Sequence, residues 1–218
     1  MSDALEASQR LGFLQDGRDK LTPFHQLSAS LLLILLSPLM AIVAFLIWRH
    51  DGAPVLFAHY RVGHEGKIFR CMKFRTMLRN SEQVLADFLR KDPQAHAEWK
   101  RYQKLANDPR VTRIGRFLRR TSLDELPQLL NVMRGEMNLV GPRPITVSEL
   151  RRYGKARWHY LSVRPGITGL WQVSGRNNTT YDQRVALDRS YVEQRSFCFD
   201  LGILLKTLRV VLVGEGAS

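Results

Sequence analysis

The chain has 218 residues, with 33 Lys and Arg against 20 Asp and Glu, for a net charge of +13 and a pI near 10.3. That length suits one domain with a modest core, and the charge demands an acidic partner without choosing among nucleic acid, anionic headgroups and a nucleotide-linked diphosphate. Cys71 and Cys198 form neither a paired framework nor a CxxC, which argues against a secreted disulfide scaffold, and the six histidines make no zinc-ligand spacing.

Residues 1–23 read as a polar N-terminal arm of mixed charge, to which no function is assigned. From Leu27 to Trp48 (LSASLLLILLSPLMAIVAFLIW) no charged residue occurs. As a straight helix the segment would be about 33 Å long, enough to cross a bilayer core. It is not a cleavable signal, because it lies too far from the start, lacks a small-residue cleavage site and runs directly into Arg49 and His50. Arg18, Lys20 and His25 precede it while Arg49, Arg61 and Lys67 follow, so neither flank wins a positive-inside contest. Pro38 sits near its middle and cannot donate to the Ile34 carbonyl, leaving Ser37 to satisfy that group. A bent segment that enters and leaves by one face and a kinked spanning helix both remain open at this point.

Val55–Arg61 and Ile68–Phe74 predict two short strands around a turn at His64–Lys67. Period two puts Lys73 and Arg75 on one face at the hairpin's end, with Phe74 opposite. Two cations aimed at phosphate and a solvated basic edge fit that pattern equally. Ser81–Leu89 and Pro93–Leu105 predict helices, the second capped by Asp92 with Pro93 at its first position. Arg110, Arg113, Arg116 and Arg119 then recur every third residue, with Ile114, Phe117 and Leu118 expected inside. The first three suit lipid headgroups or internal ion pairs.

Arg119–Pro144 (RRTSLDELPQLLNVMRGEMNLVGPRP) is the most informative stretch. Asp124 and Glu125 sit between clustered arginines and a rigid Pro-Arg-Pro. Arg119, Arg120 and Arg143 can hold a polyanion, and their field is expected to keep Asp124 ionised and able to attack phosphorus. Ser122 and Glu125 also spell a capping box, and by spacing alone that plainer reading is the stronger. It would place Pro127 at the fifth helical position, where the missing N–H and the ring disrupt the turn. A helix starting at Asp124 avoids this and would bury Leu126, Leu129, Leu130 and Met133. Asp124 would then cap a helix end that attracts anions.

Arg151–Tyr160 (RRYGKARWHY) and Leu170–Arg176 (LWQVSGR) interleave Trp158, Tyr160 and Trp171 with basic residues, as a membrane interface requires. Base stacking would use the same residue types but leaves the apolar segment unexplained, so no nucleic-acid partner is expected. Arg164-Pro165-Gly166 reads as a rigid turn. Phe199–Val213 is too short to span and reads as an interfacial or core helix.

Taken in order, Lys73–Met77 (KFRTM), Asp108–Arg113 (DPRVTR), Ser122–Asn131 (SLDELPQLLN), Val140–Pro144 (VGPRP) and Arg164–Arg176 (RPGITGLWQVSGR) resemble the signature of the bacterial polyprenyl-phosphate phosphoglycosyl transferases. These are small monotopic sugar-phosphate transferases that initiate surface glycans. With the apolar segment, the resemblance covers most of residues 24–213.

The resemblance implies an α+β, mostly helical, monotopic membrane protein. Its parts would be a re-entrant helix over residues 24–50 broken at Ser37 and Pro38, a small β-hairpin, interfacial amphipathic helices, and a cytoplasmic catalytic domain over residues 51–218. It also implies transfer of hexose-1-phosphate from a UDP-sugar to undecaprenyl phosphate with release of UMP, at the cytoplasmic face of the bacterial inner membrane. That reaction opens exopolysaccharide, O-antigen or capsule synthesis. Asp124 would be the nucleophile of a ping-pong reaction through an aspartyl phosphosugar. Glu125 would help bind Mg2+ or orient the groups, with either carboxylate as metal ligand. Lys73, Arg75, Arg119 and Arg143 would neutralise phosphates, and Arg164, Gln172 and Arg176 would lie near the nucleotide. The stretch Asp92–Asp108 resembles the hexose-phosphate branch, favouring UDP-galactose or UDP-glucose, with an N-acetylated or amino sugar as the alternative. The rival from another class is a basic membrane adaptor whose Asp124 and Glu125 merely cap a helix. Membrane lipids are expected partners, and a homodimer stays open.

Overall fold

The structure, a computed structural model, describes residues 21–102, 105–175 and 179–213, so the N-terminal arm up to residue 20 and Arg176 lie outside the described residues. The apolar run forms α1 (Thr22–Asp51), with a proline in its first turn, a position where an N–H would have no partner anyway. The helix runs on through Ser37 and Pro38, where the resemblance implies a break. Ser37 Oγ donates to Ile34 O at 2.8 Å, satisfying the carbonyl that proline leaves unpaired. One side of α1 is built into the protein: Thr22, His25, Ala29, Val43 and Ile47 are buried. Its other side, with Leu27, Leu31, Ile34, Leu35, Ile42, Phe45 and Trp48, is exposed.

β1 (Leu56–Val62) and β2 (Ile68–Phe74) form the antiparallel hairpin, with His59 opposite Cys71 and Phe57 opposite Lys73. The first strand is shifted one residue from expectation. α2 (Ser81–Lys91) and α3 (Pro93–Tyr102) follow, and Asp92 Oδ1 accepts from the backbone N–H groups of Gln94 and Ala95, a side-chain N-cap. In α4 (Arg113–Thr121), capped by Thr112, Leu118 is buried as expected but Phe117 is 59% exposed. The helix turns Gly115, Leu118 and Arg119 toward the body, which leaves Phe117 on its outer side. After α5 (Gln128–Met133), β3 (Asn138–Val140), α6 (Val147–Arg152) and α7 (Arg157–Leu161), β4 (Gly166–Thr168) returns parallel to β3. α8 (Leu170–Val173), α9 (Tyr181–Gln194) and α10 (Phe197–Val213) complete the described chain.

The β3–β4 pairing zips together the VGPRP and RPGITG strings, through Asn138 N to Pro165 O, Gly141 N to Thr168 O and Gly166 N to Pro142 O, each within 2.9 Å. A Cβ on Gly166 would stand 2.1 Å from Gly141 N, so only glycine permits this approach. The main core joins α1, β2, α5, β3, α9 and α10 around Ala29, Cys71, Val132, Val140, Tyr191 and Ile203. A second cluster sets Phe74 and Leu118 against Val43 and Ile47 of α1. Tyr160, expected at a membrane interface, is core: its hydroxyl donates to Val62 O at 2.6 Å and accepts from Ile145 N, which only a buried phenol at that crossing can do.

Asn131 joins helix to hairpin. It is fully buried; its Oδ1 accepts from Met72 N at 3.0 Å and its Nδ2 donates to Arg70 O at 2.8 Å, so a side-chain amide serves β2 as a partner strand would. Asn131→Ala is expected to cost about 2–4 kcal/mol, because both backbone groups are left unpaired in a buried place. Urea unfolding measures it, and a loss below about 0.5 kcal/mol would mean that water replaces the amide.

Candidate active site

The carboxylate pair owes its position to a break between two helices. At Ser122 the backbone turns left-handed, with φ of 57°, which stops α4 and feeds a 3-10 turn over Leu123–Glu125. α5 begins only after Pro127, as its ring and missing N–H dictate. Neither capping expectation holds. Ser122 makes no side-chain cap bond, and Asp124 does not cap α5, whose N-cap position is Pro127. Because α5 starts later than predicted, its buried face is Gln128, Leu129, Asn131 and Val132, while Met133 is 43% exposed.

Three basic side chains converge on that turn. Lys73 Nζ, from the end of β2, lies 2.6 Å from Glu125 Oε1 and 3.6 Å from Asp124 Oδ2, while its neighbour Phe74 points into the core. Arg143 Nη1 is 3.5 Å from Glu125 Oε1. Arg119 Nε donates to Thr76 Oγ1 at 2.9 Å and its charge acts on Asp124. All of them line one cavity of about 980 Å3.

Asp124 is only 8% exposed, and burial pushes its carboxyl above the usual range. Lys73 pulls it back down, Glu125 pushes it up again, and Arg119 and Arg143 pull it down, yet the direction remains upward. The surrounding positive charge does pull the pKa down as expected, but desolvation outweighs it. A carboxylate so placed is a poorly solvated and hence more basic nucleophile. The acid limb of kcat/KM is expected above the ordinary aspartate value of about 3.9, activity falling as pH drops through it. A pH profile whose limb sits at or below that value would contradict this.

The family model described as bacterial sugar transferase matches residues 22–214. The chain belongs to the bacterial sugar transferase family. It is 50% identical over 194 residues to the exopolysaccharide production protein ExoY of Rhizobium meliloti, covering 89% of this chain and 86% of that one. It is 52% identical to the undecaprenyl-phosphate galactose phosphotransferase of Salmonella typhimurium over 89% of this chain. Identity is 36% to the UDP-glucose:undecaprenyl-phosphate glucose-1-phosphate transferase of Escherichia coli, over 87% of this chain. The chain spans about 40% of the length of these two larger relatives.

In this sugar transferase the other expected site residues divide. Gln172, buried and donating to Ile167 O, lines the cavity. Arg75 also reaches it; its Nη2 donates to Asp51 O and Gly52 O at 2.8 and 2.7 Å, closing the C-terminus of α1, while its Nε and Nη1 are buried without a hydrogen-bond partner among the described residues. Arg164 does not line that cavity. Its Nε donates to Gly135 O and its Nη1 to Thr22 Oγ1, tying down the start of α1 away from the cavity wall. Thr76 was missed although it sits inside the KFRTM string, where it seats Arg119. His59 and Cys71, also on the cavity wall, share the hairpin face of Lys73, and period two would have found them. Among the described residues no group of three or more His, Cys, Asp or Glu could hold a metal; Asp124 and Glu125 offer two ligands.

Proposed function

We propose that this bacterial sugar transferase moves hexose-1-phosphate from a UDP-sugar to undecaprenyl phosphate, giving undecaprenyl-diphosphate-hexose and UMP. The observation that carries this reading is a nearly buried carboxylate, Asp124, met by Lys73, Arg119 and Arg143 in a cavity whose walls continue as apolar side chains to α1. The names of the relatives supply the substrates, and higher identity to the galactose enzyme favours UDP-galactose as donor.

An Asp124 carboxylate oxygen attacks the sugar-linked phosphorus. The bond from that phosphorus to the bridging oxygen breaks, and UMP leaves with the electron pair. The resulting aspartyl phosphosugar is then attacked at phosphorus by an oxygen of the lipid phosphate, which returns Asp124 as carboxylate. The cations are in place before the substrates arrive, so little reorganisation accompanies charge transfer between oxygens. Two adjacent carboxylates facing the cavity suit Mg2+, which takes one or two carboxylates and completes its shell with phosphate oxygens and water. Glu125 with Asp124 would hold it, in place of the present bridge by Lys73. When bound, the ion neutralises diphosphate charge. Chelation with EDTA is expected to stop UMP release and added Mg2+ to restore it; turnover unchanged in chelator would assign that neutralisation to the side chains alone.

We read the protein as monotopic in the inner membrane with its site facing the cytoplasm. Both ends of α1 support this, because Thr22, His25 and Ala29 at one end and Val43 and Ile47 at the other are buried against the same body. A helix that crossed the bilayer would carry its far end out of reach of that body. The exposed apolar side between them suits lipid.

The test is turnover by the purified chain with undecaprenyl phosphate and, separately, UDP-galactose, UDP-glucose and an N-acetylated donor, followed by mass spectrometry of the lipid product. A hexose-bearing lipid diphosphate is expected, and product with the N-acetylated donor alone would move the donor assignment. No product with any donor would overturn the reading.

A further inference from the structure

The cavity that holds the carboxylates is not uniform. Away from Asp124 its walls are Leu32 and Leu36 of α1, Leu139 and Ile167 on the floor, and Leu204 and Leu208 of α10. The hydroxyls in this arm, Thr168 and Thr207, satisfy each other at 2.7 Å. Beside them, among the described residues, only the Gln172 amide, which donates to Ile167 O, offers a polar group on this wall, so a nucleotide or a sugar placed here would leave most of its polar groups unpaired, which is costly, whereas an aliphatic chain asks for no partner.

The arm is bounded by how two helices meet. α1 and α10 touch near their first turns, where the rings of Phe24 and Phe197 lie 5.1 Å apart edge to face and His25 Nε2 is 3.3 Å from Asp200 Oδ2, both nearly sealed from solvent. One to three turns further on, between Leu32–Leu36 and Leu204–Leu208, the space between them is the cavity. Both walls also turn apolar residues outward, Leu31 and Leu35 on α1 and Leu201 and Leu205 on α10. The arm therefore opens toward a medium of its own polarity.

We infer that the space between α1 and α10 is the groove for the isoprenoid chain of the acceptor, with the phosphate of that lipid delivered to Asp124 at the other end of the same cavity. The inference rests on the transferase reading above. What argues for this occupant is continuity: one open space joins the charged turn to the apolar arm, and an isoprenoid phosphate has that same division of character. A volume of about 980 Å3 is also near the upper limit for a site that holds one small ligand, which leaves room for a second substrate beside the nucleotide sugar.

The experiment uses the wild-type chain in lipid nanodiscs and a polyprenyl phosphate carrying a diazirine on its second or third isoprene unit. After photolysis, labelled residues are expected at Leu32, Leu36, Leu204 and Leu208, with labelling suppressed by undecaprenyl phosphate and not by phosphatidylglycerol. Labels confined to the outward residues Leu31, Leu35, Leu201 and Leu205, or suppressed equally by the phospholipid, would overturn the groove and describe general lipid contact. As a second measurement, Leu204→Trp is expected to raise KM for undecaprenyl phosphate about tenfold relative to KM for the donor, while Leu205→Trp, on the outward side, does not. An unchanged acceptor KM in Leu204→Trp would count against the groove. Formation of the donor adduct by wild type without acceptor is followed in parallel, since its absence speaks against the transferase chemistry and not against the groove.

Discussion

Asp124→Asn is expected to lower turnover by about 10^4-fold or more and to abolish the hexose-phosphate adduct expected, by intact-protein mass spectrometry, on the wild-type chain given donor and no lipid acceptor. The amide keeps the shape of the side chain but cannot supply the attacking oxygen. It also separates catalysis from folding. Burial raises the Asp124 pKa above its unfolded value, so its contribution to stability is favourable at low pH and is lost as pH rises through the folded pKa. Once ionised, the buried group is a cost, which the neutral amide removes while Lys73 keeps Glu125 at 2.6 Å. The variant should therefore melt no lower than wild type at neutral pH. An adduct that persists in the variant would place the nucleophile elsewhere. Normal turnover by a wild-type chain that never forms an adduct would point to direct transfer between two bound substrates. The adaptor alternative predicts an unaffected variant, and it has lost its structural basis, because Ser122 makes no side-chain cap bond and Asp124 does not cap α5.

The second large effect is expected at Gly115, which is outside the charged turn. A Cβ there would stand 2.1 Å from Thr76 O and 2.7 Å from its carbonyl carbon, and backbone cannot rotate away as a side chain can. Gly115→Ala must push α4 off the segment that follows β2. The contacts at stake are Thr112 N to Thr76 O, Leu78 N to Arg110 O and the bond that seats Arg119 on Thr76. A loss of about 3 kcal/mol is expected, with donor-only adduct formation falling as Arg119 leaves its place. Thermal unfolding in nanodiscs measures the first and mass spectrometry the second. A variant destabilised by less than about 0.5 kcal/mol would show that α4 moves freely against Thr76.

The hairpin, the Asp92 cap and the apolar helix were legible because each depends on neighbours in the chain: alternation for β1 and β2, a side-chain cap before Pro93, and a run without charge for α1. The Arg110 to Arg119 stripe was half legible. Arg110 does form an internal pair, with Asp108 at 2.6 Å, two residues away. Phe117 was misplaced because the inward face of α4 is chosen by Gly115 meeting Thr76, a contact that periodicity does not encode.

By itself the sequence determined a basic chain with a bilayer-length apolar helix, and it singled out Asp124 and Glu125 by setting them among cations beside a proline that no helix interior accepts. Charge spacing and backbone chemistry suffice for that much. Only the tertiary structure decided that Asp124 is buried enough for desolvation to outweigh the surrounding charge, that Lys73 and Arg143 reach the pair, and that Arg75 and Arg164 each bond to α1. Desolvation depends on what covers a group, and an arginine's role depends on which carbonyls come within reach. For Arg164 the partner on α1 is Thr22, far away in the sequence, and no local pattern records that meeting.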